Sequence, residues 1–229
     1  MLVLSREEVR QLDVDAVREL GIPSLLLMEN AARGAVDVIL EHGPWRSITI
    51  VCGPGNNGGD GLAIARLLAA SGIESRTLLM TAGKELSQDA QTNRNILAAA
   101  RIELAEVDAT EWPHELTNLD ESDLLVDALL GTGVRAPLNS EFTLAIHAMN
   151  ASRARRLSID VPSGLDCDTG QPVDGQTAVR AWRTVTFAAM KQGYMEKVAA
   201  GWTGTIDVRH IGLPEWWLRG WLQKRRAQW

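Results

Sequence analysis

SITIVCGPGNNGGDG, residues 47–61, is the stretch that decides the fold. Its apolar first half predicts a buried strand. A helix is predicted from Asp60, at the end of the glycine-rich part, to Ser71. Gly53, Gly55 and Gly58 match the pattern G-x-G-x-x-G, in which glycines let backbone N–H groups approach a phosphate at the start of a helix. The stretch therefore predicts a strand–loop–helix unit that holds a phosphorylated, nucleotide-like ligand.

Strands and helices alternate on both sides of this unit. Helices are predicted over Ser5–Leu20, from Pro23-Ser24 onward, over Ser87–Ala100 and over Asn139–Asn150, and strands over Glu74–Met80, Leu124–Ala128, Leu157–Val161 and Thr184–Ala188. This alternation is typical of an α/β protein whose mostly parallel sheet is covered by helices on both faces. No repeat, linker or low-complexity tract interrupts it, so residues 1–229 are predicted to form a single domain.

The composition is that of an ordinary globular protein. The chain has 229 residues, of which 45% are hydrophobic and 23% are charged, and its formal net charge is −6. A negative charge argues against a dedicated nucleic-acid partner, because such proteins carry a basic surface. Cys52 and Cys167 are too few for a disulfide framework, and neither a signal peptide nor a membrane-spanning run is apparent. The sequence therefore predicts a cytoplasmic protein with no nucleic-acid or membrane partner.

Two details of the glycine loop differ from an ordinary dinucleotide site. In such sites a carboxylate at the end of the second strand binds the ribose, yet the second strand predicted here ends in Leu78-Leu79-Met80-Thr81. Asp60 also lies inside the loop, where its charge would repel a diphosphate unless it served another group or a cation. Taken alone, Asp60 is best explained as the cap of the following helix, and Asn56 and Asn57 as turn residues.

Polar residues also follow the other predicted strands. Asp127 and Asp160 lie at strand ends, where a buried carboxylate is costly unless it is paired or bound to a cation. Arg135 could bind phosphate or be a solvated loop charge, and Lys191 is a candidate general acid or phosphate ligand. Because parallel strands end at one edge of a sheet, the loops after them are predicted to meet and form a site. These loops are 53–60, 127–137, 160–166 and 188–193.

Other catalytic signatures are absent from the sequence, including a serine nucleophile elbow, H-E-x-x-H and an ATPase phosphate loop. The tail from Pro214 to Trp229 combines tryptophans with basic residues and could dock on a partner or on nucleic acid. We favour instead a terminal helix whose tryptophan face packs on the domain or on a dimer mate. The tryptophans in question are Trp216, Trp217, Trp221 and Trp229.

Several segments together resemble the NAD(P)H-hydrate epimerases, also called the YjeF N-terminal domain family. The main ones are LLMENAA at 26–32, GPGNNGGDG at 53–61, the segment 126–137 and IDVPSG at 159–164. Thr184–Phe187 with Lys191, and Gly201–Pro214, are similar to later elements of the family. GPGNNGGDG and DVPSG are highly specific together, and the resemblance covers nearly the whole chain in order.

The resemblance implies a Rossmann-like three-layer α/β/α fold, usually dimeric, that interconverts the R and S forms of NADHX and NADPHX, the hydrated, damaged nicotinamide cofactors. It implies one potassium ion per subunit, held by Asn57, Asp127 and Ser163. It also implies contacts of the hydrate with Asn56, Asn57, Gly58, Gly59, Asp60, Gly131, Thr132, Gly133, Val134, Arg135, Ala136, Pro137 and Asp160.

Two positions depart from the family pattern. Trp182-Arg183 precede Thr184 where the family usually has Asp, and Met190-Lys191-Gln192-Gly193 replaces Pro-Lys-Pro-Gly, which leaves the shape of this loop and the role of Lys191 open. In many bacterial members an ADP- or ATP-dependent dehydratase domain follows the epimerase domain, whereas this sequence stops at Trp229. We therefore expect a stand-alone epimerase that works with a separate NAD(P)H-hydrate dehydratase.

The expected chemistry needs an acid/base group. The hydrate is a carbinolamine, so its ring nitrogen can expel the protonated hydroxyl, and water can return to either face of the planar iminium; ring opening is an alternative route. Asp160 is the predicted acid/base group, with Lys191 as a second catalytic candidate, and Asp60 and Asn57 are predicted to orient the ring and its hydroxyl. The alternatives are a non-catalytic interaction module of the same fold and an unrelated dinucleotide-dependent oxidoreductase.

Overall fold

The computed structural model describes residues 2–227, with the following elements in chain order. They are β1 (Val3–Leu4), α1 (Arg6–Leu20), α2 (Ser24–Glu41), β2 (Ile48–Cys52), α3 (Asn56–Ala70), β3 (Arg76–Leu79), α4 (Gln88–Ala99), β4 (Leu104–Glu106), α5 (Trp112–Leu116), β5 (Leu124–Ala128), α6 (Ser140–Ala151), β6 (Arg155–Ile159), β7 (Arg183–Phe187), β8 (Met190–Lys191), α7 (Ala200–Thr203), β9 (Thr205–Arg209) and α8 (Glu215–Arg226). Short 3₁₀ turns over Gln192–Met195 and Lys197–Ala199 connect β8 to α7.

A parallel sheet of seven strands forms the centre, in the order β4-β3-β2-β5-β6-β7-β9. The strand order reverses between β2 and β5, so the loops after these two strands lead away from each other and open a crevice at the carboxyl edge. A second, two-stranded parallel sheet pairs β1 with β8 and brings Leu4 opposite Lys191. The predicted α/β fold with a mostly parallel sheet is confirmed.

Each face of the sheet has its own hydrophobic core. Ile50 and Cys52 of β2 pack with α2, α3 and α4 on one face. Val51 between them packs with α5 and α6 on the other, together with Leu125 of β5. Because successive side chains of a strand point to opposite faces, a continuous apolar run such as SITIVC is what a strand covered on both sides requires.

Helices α1 and α8 pack together beside the crevice. Ser5 and Glu8 form the predicted capping box at the start of α1. Trp221 of α8 donates its indole N–H to the Asp15 carboxylate of α1 at 2.8 Å. The prediction that a tryptophan face packs on the domain is confirmed for Trp217 and Trp221, which are buried.

Some apolar side chains of the tail and of α2 face outward. Trp216 of the tail is 74% exposed, and Trp229 lies outside the described residues. On α2, Met28, Ala32, Val36 and Ile39 form a buried apolar stripe, whereas Leu25 in the first turn faces outward. No helix among residues 2–227 is both long and apolar enough to cross a membrane.

Helix α3 begins four residues earlier than the sequence predicts. Its N-cap is Gly55, and Asn56 already occupies the first helical position. The expectation that Asp60 caps this helix was therefore wrong, since Asp60 lies a full turn inside it. A turn dense in glycine and asparagine predicts a loop, but here close packing against the strand ends keeps that segment helical.

Candidate active site

A cavity of about 1070 Å³ lies at the carboxyl edge of the sheet, over the point where β2 and β5 diverge. The loops after four neighbouring strands supply its floor, represented by Asn56, Leu130, Asp160 and Ala188. Helices α1 and α2 supply a wall that the strand-end argument did not include. The predicted meeting of the strand-end loops is thus confirmed, and it creates one large site.

The glycine loop shapes the floor of this cavity through backbone contacts. A Cβ atom at Gly58 would lie 1.8 Å from the carbonyl oxygen of Gly53, and one at Gly53 would lie 1.8 Å from that of Leu129. Gly58 and Gly59 are buried under these contacts and do not line the cavity, whereas Asn56 and Asn57 do. The first turn of α3 therefore faces the cavity, and its N-cap, Gly55, supplies no side chain to cap it. The N–H groups of a helix N-terminus favour an anion or an oxygen acceptor.

Asp160 and Lys191 form an ion pair in the cavity wall. The Lys191 Nζ lies 2.7 Å from Asp160 Oδ1 and donates to the Thr186 hydroxyl at 2.8 Å, and Thr186 in turn donates to Asp160 Oδ1 at 3.1 Å. Lys191 is 1% exposed, while the Asp160 side chain is 16% exposed. Burial is expensive for a lone ammonium group, so the carboxylate is needed to compensate it. Lys191 contacts Asp160 even though the residues around this lysine differ from the Pro-Lys-Pro-Gly pattern of the family.

The backbone of Asp160 is held in an unusual conformation. Its φ angle is +61°, in the left-handed region that side chains other than those of glycine, asparagine and aspartate rarely adopt. Its N–H donates to the Val185 carbonyl at 2.7 Å, and its carbonyl accepts the Tyr194 hydroxyl at 2.5 Å. These two bonds fix the turn that follows β6, and they direct the carboxylate toward the cavity and Lys191.

Two further carboxyl groups border the cavity without partners. Neither Asp60 of α3 nor Asp13 of α1 accepts a side-chain hydrogen bond or forms an ion pair among residues 2–227. Burial, and then the neighbouring charge of Asp160, raise the pKa of Asp60 well above its usual range. The same two causes raise the pKa of Asp13 to about 6, opposed by Lys191. The surroundings of both groups therefore favour the protonated carboxylic acid, and Asp13 is the more open of the two side chains.

Asp127 lies below the cavity floor at the end of β5 and does not line the cavity. Its fully buried carboxylate accepts the Ser163 hydroxyl at 2.5 Å, the Ser163 N–H at 2.9 Å and the Ser158 hydroxyl at 2.8 Å. Burial raises the pKa of Asp127, and these donors oppose the rise. Ser163 also contacts Leu130, whose N–H donates to the serine hydroxyl at 2.8 Å.

Asn57 links this buried cluster to the cavity. Its side-chain amide donates to the Leu130 carbonyl at 3.0 Å, while its buried Oδ1 has no hydrogen-bond partner among the described residues. Leu130 and Ser163 connect this unpaired acceptor to the Asp127 carboxylate, which has hydrogen-bond donors but no cationic partner among the described residues, and a hard cation would satisfy both groups. The predicted ligands Asn57, Asp127 and Ser163 thus form one connected cluster, which fits a cation bound through oxygen atoms.

The predicted substrate loop from Gly131 to Pro137 lines the cavity opposite α3. Arg135 is exposed there, and within residues 2–227 its guanidinium donates only to the adjacent Val134 carbonyl, at 3.0 Å, which leaves it available to a ligand. From the other side, Arg6 of α1 donates to the same Val134 carbonyl at 2.8 Å and pairs with Asp166 at 2.5 Å. The loop is therefore anchored by the N-terminal helix.

Sequence reasoning missed four residues of this arrangement. Thr186 and Tyr194 hold Asp160, Arg6 anchors the substrate loop, and Asp13 reaches the cavity from α1. Thr186 was recognised only as part of a strand. Its position in TVTF, one residue before the strand end, is the one signal that could have placed it beside Asp160. The others depend on where α1 and the 3₁₀ turn pack, which no local pattern specifies.

Comparisons with known proteins agree with this architecture. A family model described as YjeF-related protein N-terminus matches residues 24–193. The NAD(P)H-hydrate epimerase of Rhodopirellula baltica is 41% identical over 208 residues, which are 91% of this chain and 83% of that protein. The NAD(P)H-hydrate epimerase of Pirellula staleyi is 38% identical over 213 residues, which are 93% of each chain.

Two other matches are a longer relative and a solved structure. A bifunctional NAD(P)H-hydrate repair enzyme of Pyrobaculum aerophilum is 40% identical over 200 residues, which cover 85% of this chain and 39% of that protein. The crystal structure of a yeast protein superimposes with a TM-score of 0.72 at 22% identity, covering 85% of this chain and 84% of the yeast chain, and it supports the fold. The family model covers most of the chain and the two epimerases match almost its whole length, so the chain belongs to the YjeF-related N-terminal domain family.

Proposed function

We propose that this protein is an isomerase that interconverts the R and S forms of NADHX and NADPHX. One observation carries the proposal: the Asp160–Lys191 ion pair lies at 2.7 Å in the wall of a cavity large enough for a dinucleotide. The two relatives with the names given above support the same activity. The site combines an acid/base carboxyl group, a helix N-terminus and a second carboxyl group, that of Asp60, and the epimerisation of a carbinolamine needs groups that move and position protons.

The proposed reaction proceeds through loss and return of water. The lone pair of the ring nitrogen forms a C=N bond as the protonated hydroxyl leaves the adjacent carbon. A water molecule then adds to the opposite face of the planar iminium and gives up a proton. Asp160 supplies the proton that leaves with the hydroxyl as water and takes one back from the water that returns. Lys191 orients the Asp160 carboxyl group, and Asp60 orients the ring and its hydroxyl.

The direct test is to incubate the purified protein with pure R-NADHX and to follow S-NADHX by chromatography. We expect conversion well above the spontaneous rate measured without protein, with both epimers reaching one equilibrium ratio from either side. Tight binding of the hydrate without any acceleration would instead identify a non-catalytic module of the same fold. Repeating the assay with NADPHX shows which of the two hydrates the cavity prefers.

A potassium ion at the Asn57–Asp127–Ser163 cluster is part of the proposal. The unpaired Oδ1 of Asn57 and the buried carboxylate of Asp127 support it. Among residues 2–227 there is no cluster of three or more His, Cys, Asp or Glu side chains that could hold a metal. The donors of this cluster are an amide oxygen, a carboxylate and a hydroxyl, which suit a hard cation. When bound, potassium would neutralise Asp127 and order the loops that carry Asn57 and Leu130.

Potassium is expected to raise thermal stability in a saturable way. Binding to the folded state at 100 times Kd would add about 2.7 kcal/mol to the free energy of unfolding. The measurement is a thermal melt in KCl against choline chloride at matched ionic strength, with Asp127→Asn as the variant that loses the response. An equal shift in both salts, or an unchanged response of Asp127→Asn, would count against a potassium site.

Assembly, partner and location complete the proposal. Longer relatives named bifunctional NAD(P)H-hydrate repair enzymes support a separate ADP- or ATP-dependent dehydratase as the functional partner.

We infer a homodimer in the cytoplasm. Exposed apolar side chains on α1 and α2, Val14, Leu25 and Leu26, support a subunit contact, and the unpaired thiols of Cys52 and Cys167 suit a reducing compartment.

A further inference from the structure

Asp13 lies in the cavity wall, on a helix that is firmly fixed. Its neighbour Leu12 is 1% exposed and packs in the core between α1, α2 and α8. Asp15, two residues further on, is held by Trp221. Asp13 itself is exposed to the cavity and has no hydrogen bond or ion pair with any described side chain. A carboxyl group with a rigid backbone, an open side chain and no structural partner is free to act on a ligand.

The charges around Asp13 favour retention of its proton. Asp60 and Asp160 face it across the cavity, and Lys191 is the cation that opposes them. Burial within the cleft and the negative charge of Asp160 raise the pKa of Asp13 to about 6, within reach of neutral pH. The other charged side chains that line this cavity are Arg6, Arg10, Lys84, Glu85, Asp89 and Arg135.

The environment of Asp160 differs from that of Asp13, because a cation lies beside it. Its Oδ1 is engaged by both the Lys191 ammonium and the Thr186 hydroxyl, so its negative charge is paired. Two carboxyl groups in one cavity, one paired with a cation and one unpaired beside negative charge, take different roles in acid/base chemistry. The paired group suits the role of base, and the unpaired group suits the role of acid.

We propose that Asp13 is the general acid that protonates the departing hydroxyl of the hydrate, while Asp160 removes a proton from the water that returns. This assignment rests on the proposed epimerase function and divides the work given there to Asp160 alone. The Asp13 proton leaves with the hydroxyl as water while the nitrogen lone pair forms the iminium. The incoming water adds its hydroxyl to carbon and gives its other proton to Asp160. Solvent in the open cavity returns the proton from Asp160 to Asp13, so each cycle is balanced.

Asp60 is the competing candidate, and its position argues against it. Asp60 is half-buried one turn inside α3, and its pKa lies well above the usual range. Its position inside the helix suits a hydrogen bond to the ligand, while its half-buried side chain is less open to solvent than that of Asp13. Asp13 is exposed to the cavity and exchanges with solvent, which a proton carrier that must be reloaded each cycle requires.

The test compares Asp13→Asn with the wild-type protein by initial rates of R-to-S conversion across pH 5 to 9, after subtraction of the spontaneous rate. We expect kcat to fall about 10²-fold or more, with a smaller change in KM. Because a general acid works only when protonated, the wild-type kcat should decline as pH rises through the pKa of Asp13, and this decline should vanish in Asp13→Asn. Glu19→Gln, which removes a charge from the exposed side of the same helix, should keep both rate and profile.

A second variant separates chemistry from structure. Asp13→Ala opens space at a position exposed to the cavity, so added formate or acetate should restore part of the lost rate, which a purely structural role would not allow. A wild-type rate and profile in Asp13→Asn, or loss of rate without any rescue in a folded Asp13→Ala protein, would overturn the assignment. An inactive wild-type protein would instead refute the proposed function itself.

Discussion

Replacing Asp160 by asparagine is expected to lower kcat about 10²–10⁴-fold while the fold is retained. Asparagine has nearly the same size and tolerates the positive φ of 61° at this position, so the turn after β6 is preserved. Its amide oxygen can still accept from Lys191 and Thr186. It cannot carry a proton, and it leaves the ammonium of Lys191 without a counter-charge.

The uncompensated Lys191 gives this variant a second, separable effect. We expect a loss of about 1–3 kcal/mol in the free energy of unfolding, because a buried charged donor loses its charged partner. Asp207→Asn is the matched control: it removes the carboxylate that pairs with Arg183 at 2.5 Å, in the same sheet but outside the cavity. It should lose stability without losing kcat. Near-normal epimerisation by a folded Asp160→Asn protein would exclude Asp160 as the acid/base group.

The sheet and its catalytic edge could be predicted because both depend on local patterns. Apolar runs such as SITIVC require cover on both faces, and parallel strands must end together, so Asp127, Asp160 and Lys191 were expected near one another before their contacts were known. The structure adds that Asp127 lies beneath the floor with Ser163 while Asp160 lies in the wall with Lys191. Asp127 and Asp160 lie in different places because their side chains point in different directions at the strand ends, and sequence spacing does not determine those directions.

The wall formed by α1 could not be predicted in the same way. The capping box at Ser5 located this helix correctly, but a helix start says nothing about what the helix covers. Asp13 and Arg6 become part of the site only because β1 pairs with β8 and α8 packs behind α1, two contacts between the ends of the chain. Both residues also precede the segment 24–193 that the family model matches.

The glycine loop shows most clearly how a motif can be right for a different reason. Gly53, Gly55 and Gly58 were taken together as a cradle for phosphate, yet the structure gives them different tasks. Gly53 and Gly58 bring the backbones of the loop, of α3 and of the Leu129 turn into direct contact. Gly55 caps the helix, and a Cβ atom there would meet nothing within 4 Å. Gly53 and Gly58 therefore hold the cavity floor together, and only Gly55 has room around it for a side chain.

Gly58→Ala is accordingly expected to destabilise the protein by about 3 kcal/mol, at the upper end of the range for overpacking. The added methyl group would meet the backbone carbonyl of Gly53, which has no rotamer by which to move away, so the start of α3 must shift. In a chain of this size the loss corresponds to about 6–12 °C in Tm. The displaced helix start also moves Asn57, so substrate turnover and the potassium response should fall together.

Gly55→Ala is the matched control, since it makes the same chemical change three residues away. The φ of −85° and ψ of −169° at Gly55 are open to alanine, and the space around it is empty, so Tm should change little. The measurement is a thermal melt of both variants beside the wild type, with and without potassium. Equal stability of the two variants would mean that the motif acts through flexibility alone. A large loss in Gly58→Ala only would show that close packing holds the first turn of α3 against the ends of β2 and β5.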